Sequence, residues 1–144
     1  MLTREHWAGR IPHAQAMALI ARVHAWDAQS IDAGADAPGS AHPLLREGRL
    51  HAVHACEYGA QAAAVHGALL AQAQRPQASP AGLLAALRDV RLSAPWLDPA
   101  LPLRIRAWRL AALPAAVQYR FEVLQAGAPC VQGQVLIAFA ESPS

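Results

Sequence analysis

A chain of 144 residues with a formal charge of +2 and 15% charged side chains is long enough for one domain with a true core, spanning 1–144, and too short for two. The mild charge excludes a polybasic binder of nucleic acid or membrane surfaces, and although 54% of the residues are apolar, no run of about 20 strongly apolar residues is present to span a bilayer. All twelve basic side chains are arginine, and lysine and asparagine are absent, as codons from a GC-rich genome produce.

The opening "MLTREHWAGR" carries charges where a secretory signal has its apolar core, and Cys56 and Cys130 lack metal or redox spacing, so a cytoplasmic location is expected. From Met17, "MALIARVHAWDAQSIDAGADA" alternates with a rough period of two, interrupted near Asp27, which predicts two strands joined by a turn. "DAPGSAHPLLREGR" is a Gly- and Pro-containing loop leading into a helix from Leu50 to about Gln72, which "RPQASPAG" ends with two prolines. "GLLAALRDVRLS", "LPLRIRAWRLAAL", "AAVQYRFEVLQAG" and "PCVQGQVLIAFAES" predict four more strands, with "QAGAP" as a hairpin turn. The fold class is therefore α+β, an antiparallel sheet wrapped around one long central helix whose small side chains admit a close approach.

No GxGxxG, Walker loop, GxSxG or HExxH occurs, and Ser30, Ser40, Ser79 and Ser93 sit in turn-like contexts without a nucleophile signature. The helix segment "LHAVHACEYGAQAAAVHGALL" instead holds one carboxylate, Glu57, among alanines, glycines, histidines and a cysteine. A helix apolar on every side would bury that charge, at a cost of several kcal/mol unless it is paired or used. Two readings follow: an ion pair with Arg22, Arg46 or Arg49, or a functional acid.

Glu57 followed four residues on by Gln61, in "EYGAQ", on an Ala-rich helix after a strand pair, resembles the acid-x-x-x-Gln unit of the hot-dog fold 3-hydroxyacyl-carrier-protein dehydratases. "IPHAQAMALIARV" resembles that family's Leu/Ile-Pro-His segment, which usually ends Asp-Arg-Val, with Ala21 in place of the Asp. "HPLLREGRLHAVHACEYGAQAAAVHGALL" is closer still to a small dehydratase-like subfamily of aryl-polyene and related pigment or polyketide-type pathways. The resemblance runs from Ile11 to Leu70, and the later strands match in pattern only.

It implies a (3R)-3-hydroxyacyl-[acyl-carrier-protein] dehydratase without cofactor or metal. It also implies an acyl carrier protein as partner and a dimer with itself or a paralogous hot-dog subunit, the site being built from both chains. By position the helix acid is Glu57 and the loop histidine is His42. The interval between them is about one residue longer than is usual, Ala52 replaces a helix-start Gly, and His51 stands where a Pro is common. Dehydration needs a base at C2, an acid for the C3 hydroxyl and a site for negative charge on the thioester oxygen. His42 would be the base. Burial would favour the protonated, donating form of Glu57, and the backbone N–H groups of Ala52 and Val53 at the helix start would face the oxyanion.

His54, three residues before Glu57, is the alternative base. Gln61 either orients the Glu57 carboxylate or makes a plain polar contact. His66 lies nine residues beyond Glu57, about half a turn round the helix, and reads as structural, as does His13 in its Pro-His turn. His6 and His24 have no supporting context. Trp26, Trp96 and Trp108 read as tunnel, core or interface residues. Arg46 and Arg49, or Arg104, Arg106 and Arg109 on one strand, are candidates for meeting an acidic carrier protein. Two further functions remain open: a non-catalytic partner subunit of an active dehydratase, and an acyl-thioester hydrolase.

Overall fold

Period-two alternation builds the sheet. In the computed structural model, which describes residues 1–6, 19–74, 81–113 and 116–140, Tyr119, Phe121 and Val123 of β8 (Ala116–Gln125) are buried and Arg120 is exposed. β7 (Leu103–Leu113) turns Leu103, Ile105 and Ala107 inward and Arg104 and Arg106 outward. With β1 (Leu2–Thr3), β2 (Arg22–Trp26), β3 (Ser30–Ala35), β5 (Ala81–Leu92) and β9 (Ala128–Ala140), the described residues form a seven-stranded sheet in the order β1-β2-β3-β7-β8-β9-β5. Every neighbouring pair is antiparallel. The sheet curves around α1 (Ala55–Gln74), as expected for a strand pair, one helix and four strands.

Turn chemistry sets the connections. Asp27 Oδ1 accepts from the amides of Gln29 and Ser30, both at 2.8 Å, which fixes the predicted break between β2 and β3. Ala126 (φ 49°) and Gly127 (φ 77°) form the two-residue turn between β8 and β9 inside the predicted "QAGAP".

The small side chains of α1 have the predicted packing role. A Cβ on Gly59 would lie 2.3 Å from Cδ2 of Phe121, a ring with no exposed surface, and one on Gly133 of β9 would lie 3.0 Å from Cζ of the same ring. Phe121 is thus seated between helix and sheet at a spacing only glycine allows. The predicted helix start is corrected. Leu50–His51 is a short strand, β4, paired with β6 (Trp96–Leu97), and Ala52–His54 is a 3-10 turn before α1 begins at Ala55. Burial of Leu50 against its register partner Leu97 holds this segment extended. Among the described residues no helix is long and apolar enough to cross a membrane.

Candidate functional site

The β4–β6 ribbon delivers the chain to the start of α1. At its end His51, extended at φ −63° and ψ 138°, caps the 3-10 turn: its Nδ1 accepts from the amide of Val53 at 3.1 Å. The amide of Ala52 donates to the carbonyl of Pro95 at 2.9 Å. The two N–H groups expected to face an oxyanion are therefore already bonded within the chain, because a histidine at the cap and a neighbouring loop supply their acceptors.

Glu57 follows in the first turn of α1 and is exposed, which corrects the premise that it is buried in an all-apolar helix. It shares an open side of the helix start with Val53, which is 46% exposed and four residues earlier. The ion-pair reading also fails within the chain. Arg22 holds Asp36 at 2.6 Å, Arg46 donates to the carbonyls of Pro43 and Leu45, and the Arg49 guanidinium lies 5.3 Å from the Trp96 ring centroid. Among the described residues Glu57 has no ion-pair partner.

Gln61 is buried, and its Oε1 accepts from the Leu19 amide at 2.7 Å. It ties the helix to the segment entering β2, and no hydrogen bond joins it to Glu57, so the orienting role is not the one this geometry displays. His42 sits half-buried in the turn that follows Gly39, with Nδ1 accepting from the Leu44 amide at 3.1 Å. That bond leaves Nε2 as the ring nitrogen available to a ligand. His54, half-buried one turn before Glu57, makes no such bond among the described residues. His13 lies outside the described residues.

His66 takes the structural role its spacing indicates. It is fully buried, with Nδ1 2.6 Å from the Tyr119 hydroxyl and Nε2 2.7 Å from the carbonyl of Asp27, so it links α1, β8 and the β2–β3 turn. Nε2 must donate to the carbonyl, and Nδ1 accepts from the phenol. Burial pushes the His66 pKa down, partly opposed by the Asp27 carbonyl, and pushes the Tyr119 pKa up to about 12.

Nearby Arg109 corrects the strand-patch reading. Arg104 and Arg106 face outward, Arg104 bonding Asp32 through two nitrogens, but Arg109 lies on the opposite face of β7, and its Nε is buried without a hydrogen-bond partner. The core reading of the tryptophans is corrected too. Trp26 and Trp108 flank an outer groove with Ser30, Asp32 and Arg106, and Arg120 lies 4.4 Å from the Trp108 ring centroid. Trp96 is 42% exposed on the ribbon beside His51. Sequence reasoning missed this His51–Trp96–Arg49 cluster; its signal was a tryptophan isolated between prolines in "APWLDP".

The start of α1 thus presents an exposed carboxylate one turn after the half-buried His54. The chain resembles solved structures over nearly its whole length. A chain in the dehydratase heterocomplex ApeI:P from Xenorhabdus doucetiae is 20% identical with a TM-score of 0.85, covering 99% of this chain and 93% of that one. The protein PH1136 from Pyrococcus horikoshii is 12% identical, TM-score 0.67, covering 92% of each chain. A putative thioesterase from Shewanella oneidensis is 15% identical, TM-score 0.65, covering 96% of this chain and 94% of that one. No protein of curated description matches. These likenesses show a hot-dog fold. A sequence model of ApeP dehydratases matches residues 6–143, and by that match the chain belongs to the ApeP-like dehydratase family.

Proposed function

We propose that the chain is a subunit of a (3R)-3-hydroxyacyl-[acyl-carrier-protein] dehydratase in fatty-acid, aryl-polyene or polyketide-type synthesis, working in a dimer with a second hot-dog chain. The observation that carries this is Glu57, a carboxylate held at the open start of α1 beside exposed Val53, with no ion pair among the described residues to explain it. A second chain laid over this face encloses Glu57 with the substrate, where the acid can donate to the leaving hydroxyl. The complex with ApeI among the similar structures supports a paralogous partner.

His42 is the proposed base, reaching across to the Glu57 of the other subunit, and it must give up the Leu44 amide, either to take the C2 proton at Nδ1 or to carry its own proton there and take the C2 proton at Nε2. The oxyanion takes the place of His51 Nδ1 on the Val53 amide, since that donor is held by a side chain that can rotate, whereas the Ala52 amide is held by backbone. The capped amides also favour a second reading, a non-catalytic subunit whose partner supplies the working site.

The experiment incubates a 3-hydroxyacyl carrier protein with this chain alone, with its paralogous partner alone, and with both, and follows loss of one water by intact mass spectrometry. Dehydration that needs both chains and is abolished by Glu57→Gln supports the catalytic reading. Dehydration that survives Glu57→Gln supports the non-catalytic one, and release of free acid in place of dehydration makes the protein a thioester hydrolase.

A further inference from the structure

Gln125, the last residue of β8, is buried, and its carboxamide meets the loop that leaves β6. Its Oε1 accepts from the Asp98 amide at 2.9 Å, and its Nε2 donates to the carbonyls of Asp98 at 2.9 Å and Leu101 at 3.1 Å. One side chain thus bonds both the N–H and the C=O of Asp98, as a neighbouring strand would, just where the ladder with β4 has ended at Leu97. All three bonds go to backbone groups, so they fix where the loop runs whatever side chains it carries. The loop is tightened from within as well, the Leu101 amide donating to the Asp98 carbonyl at 3.2 Å and the Ala100 amide to Asp98 Oδ1 at 2.9 Å.

The His42 turn rests on this loop. The Pro99 carbonyl accepts from the Gly39 amide at 2.7 Å, the Gly39 carbonyl accepts from the His42 amide at 3.3 Å, and the His42 carbonyl accepts from the Leu45 amide at 3.1 Å. Among the described residues the other hydrogen bonds of 37–48 stay within the segment that ends at Arg49. The Gly39–Pro99 bond is therefore the hydrogen bond that ties the His42 turn to the rest of the described chain, with Leu45 packed on the core behind it. Gly39 is left-handed (φ 84°), and no atom stands within 4 Å of where its Cβ would be, so packing on that side does not hold it.

We infer that Gln125 is a positioning residue: through the 98–101 loop and Gly39 it sets the place of His42, an inference that rests on the reading of His42 as the base. Glu57 is set by other means, since α1 packs directly against β3, β7, β8 and β9. Loss of the Gln125 bonds therefore moves the histidine without moving the acid, and the spacing of base and acid across the substrate changes. A misplacement of about 1 Å lowers turnover while leaving the acyl chain its binding surface, so the loss falls on kcat and not on KM.

The test is Gln125→Met, which keeps the side chain's length and drops all three bonds, studied in the full chain in its native oligomer. By NMR, hydrogen exchange at the Gly39 amide quickens at least about tenfold, and the ring signals of His42, assigned by their loss in His42→Ala, shift while those of buried His66 stay in place. With a 3-hydroxyacyl carrier protein, kcat falls at least about tenfold and KM stays within about twofold. In a His42→Ala background the same substitution lowers the residual rate no further, because its effect passes through His42. Should Gln125→Met fail to fold, Asp98→Ala removes only the Oδ1 bond within the exposed loop and gives the same signature in smaller measure. Unchanged Gly39 exchange and His42 signals in whichever of the two variants folds, a change in KM alone, or a loss of kcat that persists undiminished in His42→Ala overturns the assignment. Exchange and ring signals need no turnover, so a chain that dehydrates nothing yet shows both changes leaves the positioning of His42 standing and removes only the dehydratase reading.

Discussion

Alanine in a helix interior ordinarily gains about 1 kcal/mol over glycine, and at Gly59 that gain should reverse. The added Cβ would stand 2.3, 2.5 and 2.8 Å from three carbons of the Phe121 ring, whose far edge already abuts Gly133 and which has no solvent to retreat into. Restoring an ordinary contact of 3.4 Å requires helix and sheet to part by about 1 Å. Overpacking of this kind costs about 1–3 kcal/mol, so after the propensity gain the net loss reaches about 2 kcal/mol, a fall in Tm of up to about 8 °C. The same displacement carries Glu57, two residues earlier on the helix, out of position, and a misplacement of about 1 Å costs on the order of 100-fold in turnover. Thermal melting and dehydration assays on Gly59→Ala read both effects. In the pair Gly59→Ala and Phe121→Leu, the smaller side chain should return at least about 1 kcal/mol of coupling. A Gly59→Ala protein that melts higher than wild type and turns over normally would refute the reasoning, by showing that the helix does not rest on Phe121.

Glu57→Gln should lower dehydration at least about 100-fold while leaving the melting curve in place, since the exposed carboxylate anchors no ion pair; loss of fold in this variant contradicts the geometry. Mixing His42→Ala with Glu57→Gln protein and refolding them together should restore part of the activity in a dimer built across subunits, whereas an active His42→Ala and a dead His54→Ala assign the base to His54. Stability should also depend on pH through His66. Its pKa is lowered by folding, so the unfolded chain binds the proton more readily, and stability present above about pH 6.5 is lost as pH falls through the folded value. Urea midpoints between pH 8 and pH 5, measured in a His24→Gln background because His24 is lowered too, should fall with acid; a flat profile contradicts a buried neutral imidazole. Tyr119→Phe strips His66 Nδ1 of its donor and should cost about 1–3 kcal/mol, seen as a lower urea midpoint at pH 8.

The long strands and the helix were legible because their side chains alternate or repeat against a single core: Tyr119, Phe121 and Val123 declare β8 without reference to any other segment. The two-residue strands β1, β4 and β6 carry no period to read. β4 was absorbed into the helix because "LHAVHA" suits either state until Leu97 arrives from far along the chain to pair with Leu50. Glu57 is conspicuous in the sequence, but its expected burial does not hold in the structure. Apolar neighbours in sequence say nothing about which turn of a helix lies at the open end of a sheet. The capped amides of Ala52 and Val53 were hidden for a like reason, their acceptors being a loop carbonyl and a histidine rotamer. Arg109 was separable in principle: counting along β7 from Arg104 and Arg106 puts it on the opposite face.

The two margins of the sheet are unlike. At one side the described sheet stops at β1, two residues long, which leaves few backbone groups for another strand to bond; at the other it stops at β5, twelve residues long and bare along its outer side. Among the described residues only the β5 margin offers a long row of backbone groups, so pairing through it leaves short margins and is self-limiting at two chains. A strand from an identical or a related chain satisfies those backbone groups equally well. Choice between copies therefore falls to the few side chains that border the seam, among them Leu87, Arg88, Arg91 and Leu92. A handful of substitutions there would suffice to convert a chain that pairs with itself into one that pairs with a relative.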